Sequence, residues 1–319
     1  MSVTERLDGF QRRHHWAAFP LAVIYKYFDD MGPYRAALIA YYAFVSLFPL
    51  LLLASTILGF ILRNHPELQQ QLLNSGVHQI PVVGSQLNNP REIGGGVKGI
   101  LVGVLGAIYG GMGVAQVLQH VLNTSWRVPR NERPNPILKR GRSILLLVIG
   151  GVATLGTTYL STFGGGTGLL NVCVQIGSVL INTAALTFVM RYGTTRELGT
   201  RDVLPGAVLA ALAWQALQRF GVLYVQHVVA TSSATNGVFA IVLGLLAFLF
   251  LTGNIFVFAS EINSVRVDEL YPRSLLTPFT DDVLLTRGDR KAYTKQAQAE
   301  RLKGFQTVDV SFDNPPPED

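Results

Sequence analysis

The sequence holds a single cysteine, Cys173, so neither a disulfide framework nor a thiolate metal site can form within one chain. Charge is scarce too. Asp, Glu, Lys and Arg make up 14% of the residues, against about 25% in an average soluble domain. Where charge is missing excludes more than how much is missing. Residues 36–62, 99–118, 143–190, 203–218 and 220–260 contain no formally charged side chain. A bilayer core is crossed by roughly 20 mostly apolar helical residues. A soluble core has no need of five such stretches. The fold class is therefore expected to be all-α: a polytopic membrane bundle of six transmembrane helices.

Other absences narrow the chemistry. The six histidines never stand at i, i+4 inside an apolar stretch, so no metal site is expected. The glycine-rich segment around Gly99–Gly110 lacks both a preceding strand and a Lys-Ser/Thr ending, so it is not read as a phosphate loop. No carboxylate pair lies inside an apolar stretch, and neither catalytic residues nor a cofactor is expected. Residues 1–15 are polar, and no short apolar run with a small-residue cleavage site follows them, so a signal peptide is not expected.

What is present sets the organisation. Residues 1–35 read as a polar arm followed by an apolar, aromatic segment, 16–30, that is too short to span. Trp16, Phe19, Tyr25, Tyr27 and Phe28 suit the headgroup zone, so this segment reads as an N-terminal interfacial helix; a helix packed under the bundle is the other reading. Six spans are expected at about 36–62, 97–121, 143–163, 168–190, 203–228 and 237–259. Pro49 lies inside the first and should kink it. Gly99, Gly103, Gly106 and Gly110 share one face of the second, which permits close helix approach within one bundle or between copies in a homo-oligomer. Residues 63–96 form a long connection in which 65–80 could be one amphipathic helix. Gly164–Thr167 is a turn, Asp202 a candidate N-cap with Pro205 in the first turn after it. Residues 264–319 are a polar tail, disordered over roughly 305–319.

The net charge of +6 resides in particular loops. Arg6, Arg12, Arg13, Lys26 and Arg35 precede span one, and Arg127, Arg130, Arg133, Lys139, Arg140 and Arg142 lie between spans two and three. Arg191, Arg196 and Arg201 lie between spans four and five. The turns at 164–167 and 229–236 carry none. The positive-inside rule then places both termini in the cytoplasm, which needs an even number of spans. Membrane lipids are the expected partners, their anionic headgroups facing the basic loops. No aromatic-interleaved basic patch points to nucleic acid.

Polar side chains inside spans are costly, so their positions carry information. Arg219 is the one formal charge well inside a span, about 16 residues in, or roughly 24 Å from the start. Gln215 and Gln218 lie near its face. It either lines a water-filled cavity that meets an anionic substrate or snorkels to the outer headgroups. Asn171, Gln175, Ser178 and Asn182 form a stripe on span four, and Gln116, Gln119, His120 and Asn123 a second on span two. Each reads as interhelical hydrogen bonding or as a polar pathway. Glu261, where span six ends, reads as a boundary salt bridge or a coupling-ion carboxylate.

Residues 36–55 (AALIAYYAFVSLFPLLLLAS) resemble the first span of the YihY/virulence factor BrkB family through Tyr41, Tyr42, Ser46, Leu47, Phe48 and Pro49. Residues 204–214 look like the start of its fifth span. Residues 237–263 look like its last, with Glu261 and Asn263 in a Glu-x-Asn ending; Ala259-Ser260 stands where many members have Gly-Ala. In length the chain looks closest to the YhjD-like branch. The resemblance implies a six-span bacterial inner membrane protein. Members once carried the label ribonuclease BN, which nothing in these residues supports, and have been linked to serum resistance and lipopolysaccharide export. The expected function is a transporter or translocator of lipid or envelope components; the alternative is a non-transporting membrane scaffold or envelope assembly factor.

Overall fold

Long charge-free runs can satisfy their backbone only internally, and helix is the conformation that does so residue by residue. The computed structural model describes residues 3–61, 96–163, 168–224, 234–281 and 283–313. These form α1 (Val3–Arg13), α2 (His15–Asp29), α3 (Gly32–Ile61), α4 (Gly96–Ser125), α5 (Pro136–Ser161), α6 (Leu169–Tyr192), α7 (Thr200–Tyr224), α8 (Ala234–Val267) and α9 (Arg287–Ala299), with no strand among the described residues. The long connection after α3, the turn at 164–167, the end of the expected fifth span and residues 314–319 lie outside the described residues.

Among the described residues, three stretches are long and apolar enough to cross a membrane: α5, α6 and Phe239–Val267 of α8. Helices α3 and α4 run 30 residues each and α7 runs 25. Large apolar side chains such as Leu155, Leu169, Leu180 and Phe220 point outward, as expected of a surface solvated by lipid rather than water. Helices α3 to α8 pack in chain order, each against the next, and α8 returns against α3 to close a ring; α8 also touches α4 and α2.

Missing side chains set the closest contacts. A Cβ on Gly106 would lie 2.7 Å from Pro49, one on Gly110 2.6 Å from Ser46, and one on Gly113 2.4 Å from the Tyr42 ring. Tyr42, Ser46 and Pro49 thus lie along α3 against Gly113, Gly110 and Gly106 of antiparallel α4. That accounts for half of the tyrosine–serine–proline motif, and it places this part of the glycine face inside one bundle.

The proline of α7 is answered from α8. Pro205 has no N–H to offer the Arg201 carbonyl; Arg266 Nη2 donates to Arg201 O at 2.6 Å and to Asp202 O at 3.0 Å. One residue on, Gly206 N donates to Asn263 Oδ1 at 2.8 Å, and Asn263 Nδ2 donates to Val203 O at 2.9 Å. A Cβ at Gly206 would meet Ala259 O at 2.2 Å. Asp202 is not the N-cap expected of it. The helix begins at Thr200, and Asp202 reaches back from its first turn to accept Gly199 N at 2.8 Å.

Both flanks of α3–α8 carry ordered structure. Helix α2 is half-sunk: Ala18, Ala22, Val23, Tyr25 and Tyr27 are buried while Trp16, Ile24 and Phe28 are exposed, and the buried face packs on α8. The segment after α8 is folded rather than loose. Arg273, 1% exposed, lies 2.5 Å from Asp289 of α9 and 3.2 Å from Asp29 of α2. Gln11 donates to its carbonyl at 2.5 Å, which ties α1 to the same point. Thr286 and Asp289 form a capping box at the start of α9.

Candidate functional site

Four elements bring charge together at the end of the bundle where α2 and the tail lie. Lys26, in the last turn of α2, places Nζ 2.7 Å from Asp30 Oδ2 and 2.7 Å from Glu261 Oε2 of α8. Ser125, the last residue of α4, donates to Glu261 Oε1 at 2.7 Å. Arg127 Nη1 is 2.6 Å from Asp30 Oδ1, a pairing by distance whose angle falls outside hydrogen-bond geometry. Arg35, in the first turn of α3, stands 3.6 Å from Asp30 and 4.0 Å from Glu261. Ser264, one turn after Glu261, completes the shell at 3.4 Å.

Three cations (Lys26, Arg35 and Arg127) therefore face two carboxylates (Asp30 and Glu261), an excess of one positive charge. Lys26 is 1% exposed and Glu261 0%. Burial pushes the Asp30 carboxyl up, but Lys26, Arg127 and Arg35 outweigh it and hold it below the usual carboxylate range. Arg127 adopts a left-handed backbone, φ 52°, a conformation non-glycine residues rarely take. It turns the chain out of α4 and aims the guanidinium back at Asp30. Burying ion pairs gains little stability over well-packed apolar residues, whereas stripping one partner from such a pair is costly. The cluster works as a clasp that holds α2, α3, α4 and α8 in one arrangement.

The expected site residues sort into three groups. Glu261 is a salt-bridged residue, but a buried one rather than one at a solvated boundary. Lys26, Arg35 and Arg127, expected among loop cations, point inward. Asn263 serves the α7–α8 joint, as does the other half of the Glu-x-Asn ending the clasp. Tyr42, Ser46 and Pro49 serve the α3–α4 joint; Tyr41 is exposed and stacks edge-on against Tyr42. Phe48 lies within α3.

The stripe residues divide as well. Arg219 of α7 donates to Gln175 Oε1 of α6, and Gln175 Nε2 donates to Asn171 Oδ1 at 3.3 Å. Arg219, Gln175 and Asn171 thus form one chain across two helices. Gln215 and Asn182 are half-buried on α7 and α6, and Gln218 also lies on α7. On α4, Asn123 Oδ1 accepts from Thr194 and Thr195 at 3.0–3.1 Å, and Gln119 donates to Ser143 at 2.9 Å. Gln119 is a strut between α4 and α5, and Asn123 ties α4 to the loop after α6.

Sequence reasoning did not single out Asp30, Ser125 or Ser264. One signal was available: Lys26 and Asp30 stand at i, i+4 in a segment whose only other charge is Asp29, where charges survive only if partnered. Among the described residues no group of His, Cys, Asp and Glu is arranged to hold a metal ion.

Comparison with known proteins matches residues 23–278 to a family model described as virulence factor BrkB. That range contains the whole clasp, from Lys26 to Ser264. The chain is also 25% identical over 260 residues to the ribonuclease-like protein YfkH of Bacillus subtilis (strain 168), covering 73% of this chain and 90% of that protein. No solved structure matches.

Proposed function

From the premise that the chain belongs to the virulence factor BrkB family, we propose that it is a six-span protein of the bacterial plasma (inner) membrane that translocates an anionic lipid or envelope component. In this reading α3–α8 are the spans. Both termini, the clasp and the folded tail face the cytoplasm, because the basic loops lie at that end.

The observation that carries the reading is Arg219. It stands 19 residues after the start of α7, roughly 28 Å along the axis. It is held by the neutral Gln175 of α6 and has no carboxylate partner among the described residues. An intramembrane cation without an anion is a substrate-site feature by default. An anionic headgroup passing between α6 and α7 can take the place of Gln175. The clasp at the opposite end then closes the cytoplasmic side and can part by exchanging Lys26 between its two carboxylates. An enzyme is not proposed. The buried carboxylates Asp30, Asp268, Asp289 and Glu261, and Asp29 beside them, are each engaged by Lys or Arg.

The test is lipid translocation in reconstituted vesicles, with a fluorescent phosphatidylglycerol in both leaflets and a membrane-impermeant quencher outside. Wild type is expected to expose the inner-leaflet probe, and Arg219→Ala to slow this at least tenfold while eluting as folded protein. Wild-type kinetics equal to protein-free vesicles would remove this activity for that lipid class; full activity in the variant would remove Arg219 from the pathway.

A second reading has its own observation. Phe279 and Phe305 of the folded tail are 80% and 88% exposed, which suits a partner-docking scaffold. Truncating the tail cannot separate the two readings, since Arg273 and Asp289 anchor α1 and α2. Phe279→Ser with Phe305→Ser can: a scaffold loses its partner, while a translocator keeps its activity.

A further inference from the structure

A groove of about 560 Å³ opens between α3, α4 and the start of α5, on a different part of the bundle from Arg219. Its deeper part is apolar and aromatic, with Leu38 and Tyr42 from α3 and Tyr109 and Met112 from α4. Its mouth carries two cations, Lys139 and Arg140, in the first turns of α5, with His120 of α4 beside them. Tyr109 and His120 are 11 residues apart on α4, a rise of roughly 16 Å. That is about half of a bilayer core of roughly 30 Å, the depth of one leaflet. Leu38 and Tyr109 are exposed, Tyr109 at 77%, so the groove opens sideways, where lipid would lie.

Charge at the mouth is uncompensated. The side chains of Lys139 and Arg140 make no hydrogen bond or ion pair among the described residues, while Arg130 beside them is taken by Glu300 at 2.6 Å. Arg133 comes within 3.4 Å of His120 and donates to Val128 O at 3.3 Å, again without a carboxylate. Burial and then the charge of Arg130 push its guanidinium below its usual pKa. Polar Gln116 lies between the two parts of the groove.

We propose that this groove is a binding site for one anionic phospholipid of the leaflet at the charged end, its phosphate held by Lys139 and Arg140 and one acyl chain laid along Leu38, Tyr42 and Tyr109. The site needs the bundle to sit in a bilayer; it does not need the protein to transport anything. A free phosphate could meet the same cations but would gain nothing from the apolar floor.

The test is native mass spectrometry of protein released from nanodiscs of mixed phosphatidylglycerol and phosphatidylethanolamine. Four proteins are compared: wild type, Lys139→Gln/Arg140→Gln, Arg140→Gln alone, and a control that removes two exposed tail cations, Lys291→Gln/Lys303→Gln. Each cation near the surface is worth about fivefold in affinity. Wild type and control should retain one phosphatidylglycerol, the single variant about fivefold less and the double variant about twentyfold less. Equal retention by all four would make the lipid a bulk annulus and overturn the proposal, as would no retained lipid in any. A parallel incubation in inorganic phosphate separates the sources: a phosphate adduct dependent on Lys139 and Arg140, with no lipid adduct, would replace the lipid by a soluble anion. The single variant keeps the result readable if the double variant does not fold.

Discussion

Lys26 and Glu261 meet at 2.7 Å although 235 positions separate them in the chain, and neither side chain reaches solvent. The contact joins the short helix α2 to the last long helix. Glu261→Ala would leave Lys26 and Arg35 with Asp30 alone, and Ser125 without its acceptor. Removing one member of a buried pair costs about 3–5 kcal/mol. The expected outcome is a marked fall in the thermal midpoint of the detergent-solubilised protein. Lys26→Met with Glu261→Leu should recover part of it, because no orphan charge pair remains between them. A single variant that melts with wild type would mean that the clasp does not bind the helices together.

A second prediction concerns how closely helices approach. Gly110 has Ser46 Cα and Cβ 2.6 Å from where its own Cβ would be, whereas Gly150, on the outward side of α5, has nothing within 4 Å. Gly110→Ala must push α3 from α4, and overpacking of this kind costs about 1–3 kcal/mol. Gly150→Ala should be silent or stabilising by up to about 1 kcal/mol, the difference in helix propensity. Unfolding curves of the two variants, one on each side of wild type, would establish the contrast. Equal effects would argue against α3–α4 contact at this face.

Much of this arrangement was legible in the sequence, and the limit has a physical cause. Charge-free length marks where α3 to α8 lie, because each must satisfy its own backbone, and glycine spacing marks a close-packed face. The pattern cannot say which helix that face meets; Tyr42, Ser46 and Pro49 emerge as its counterpart only when α3 and α4 are seen side by side. Charge misled more than apolarity did. Lys26, Arg127 and Arg273 look like loop cations, since burial of a cation depends on partners far along the chain. Asp289, 16 residues after Arg273, gives no sign in sequence of lying beneath it. The Arg219–Gln175 pair was half visible, as two polar groups on two helices without a stated link.

The α7–α8 joint gives a third prediction. Asn263 satisfies Gly206 N and Val203 O near the place where Pro205 breaks the helix ladder. Asn263→Leu removes both side-chain bonds beside the proline, at about 0.5–1.5 kcal/mol for each. Asn263→Gln keeps the amide but overfills a site already in contact with Ala259, so it should rescue only partly. Hydrogen exchange at Gly206 reads the effect directly. Fast exchange in Asn263→Leu with little change at α5 is the expected pattern. Unchanged protection at Gly206 would show that the bond to Asn263 is not what shields it.

The last prediction is a pH window. Asp268, just beyond α8, lies 2.8 Å from Arg196 and 2.8 Å from Lys295 of α9. Burial pushes its carboxyl up, but the hydrogen bonds from Arg196 and Lys295 outweigh that and hold it below its ordinary value of 3.8. A depressed carboxyl binds its proton less readily in the folded state than in the unfolded one. Its stabilisation is therefore complete above pH 3.8 and is lost as pH falls through the lower folded value. Arg196 and Lys295 are each about one-third exposed, so screening limits the contribution to about 1 kcal/mol. Asp29 runs the other way: burial raises its carboxyl despite Arg273, so protonation as the pH falls through its raised value relieves it. Asp268→Asn should therefore melt below wild type at about pH 6 and converge with it once the pH falls below the lowered folded value. Asp29→Asn should lie at or above wild type at about pH 6 and lose that margin on acidification. A gap between Asp268→Asn and wild type that stays constant down to the lowest pH would mean that the carboxylate charge is not what secures α9 to the end of α8.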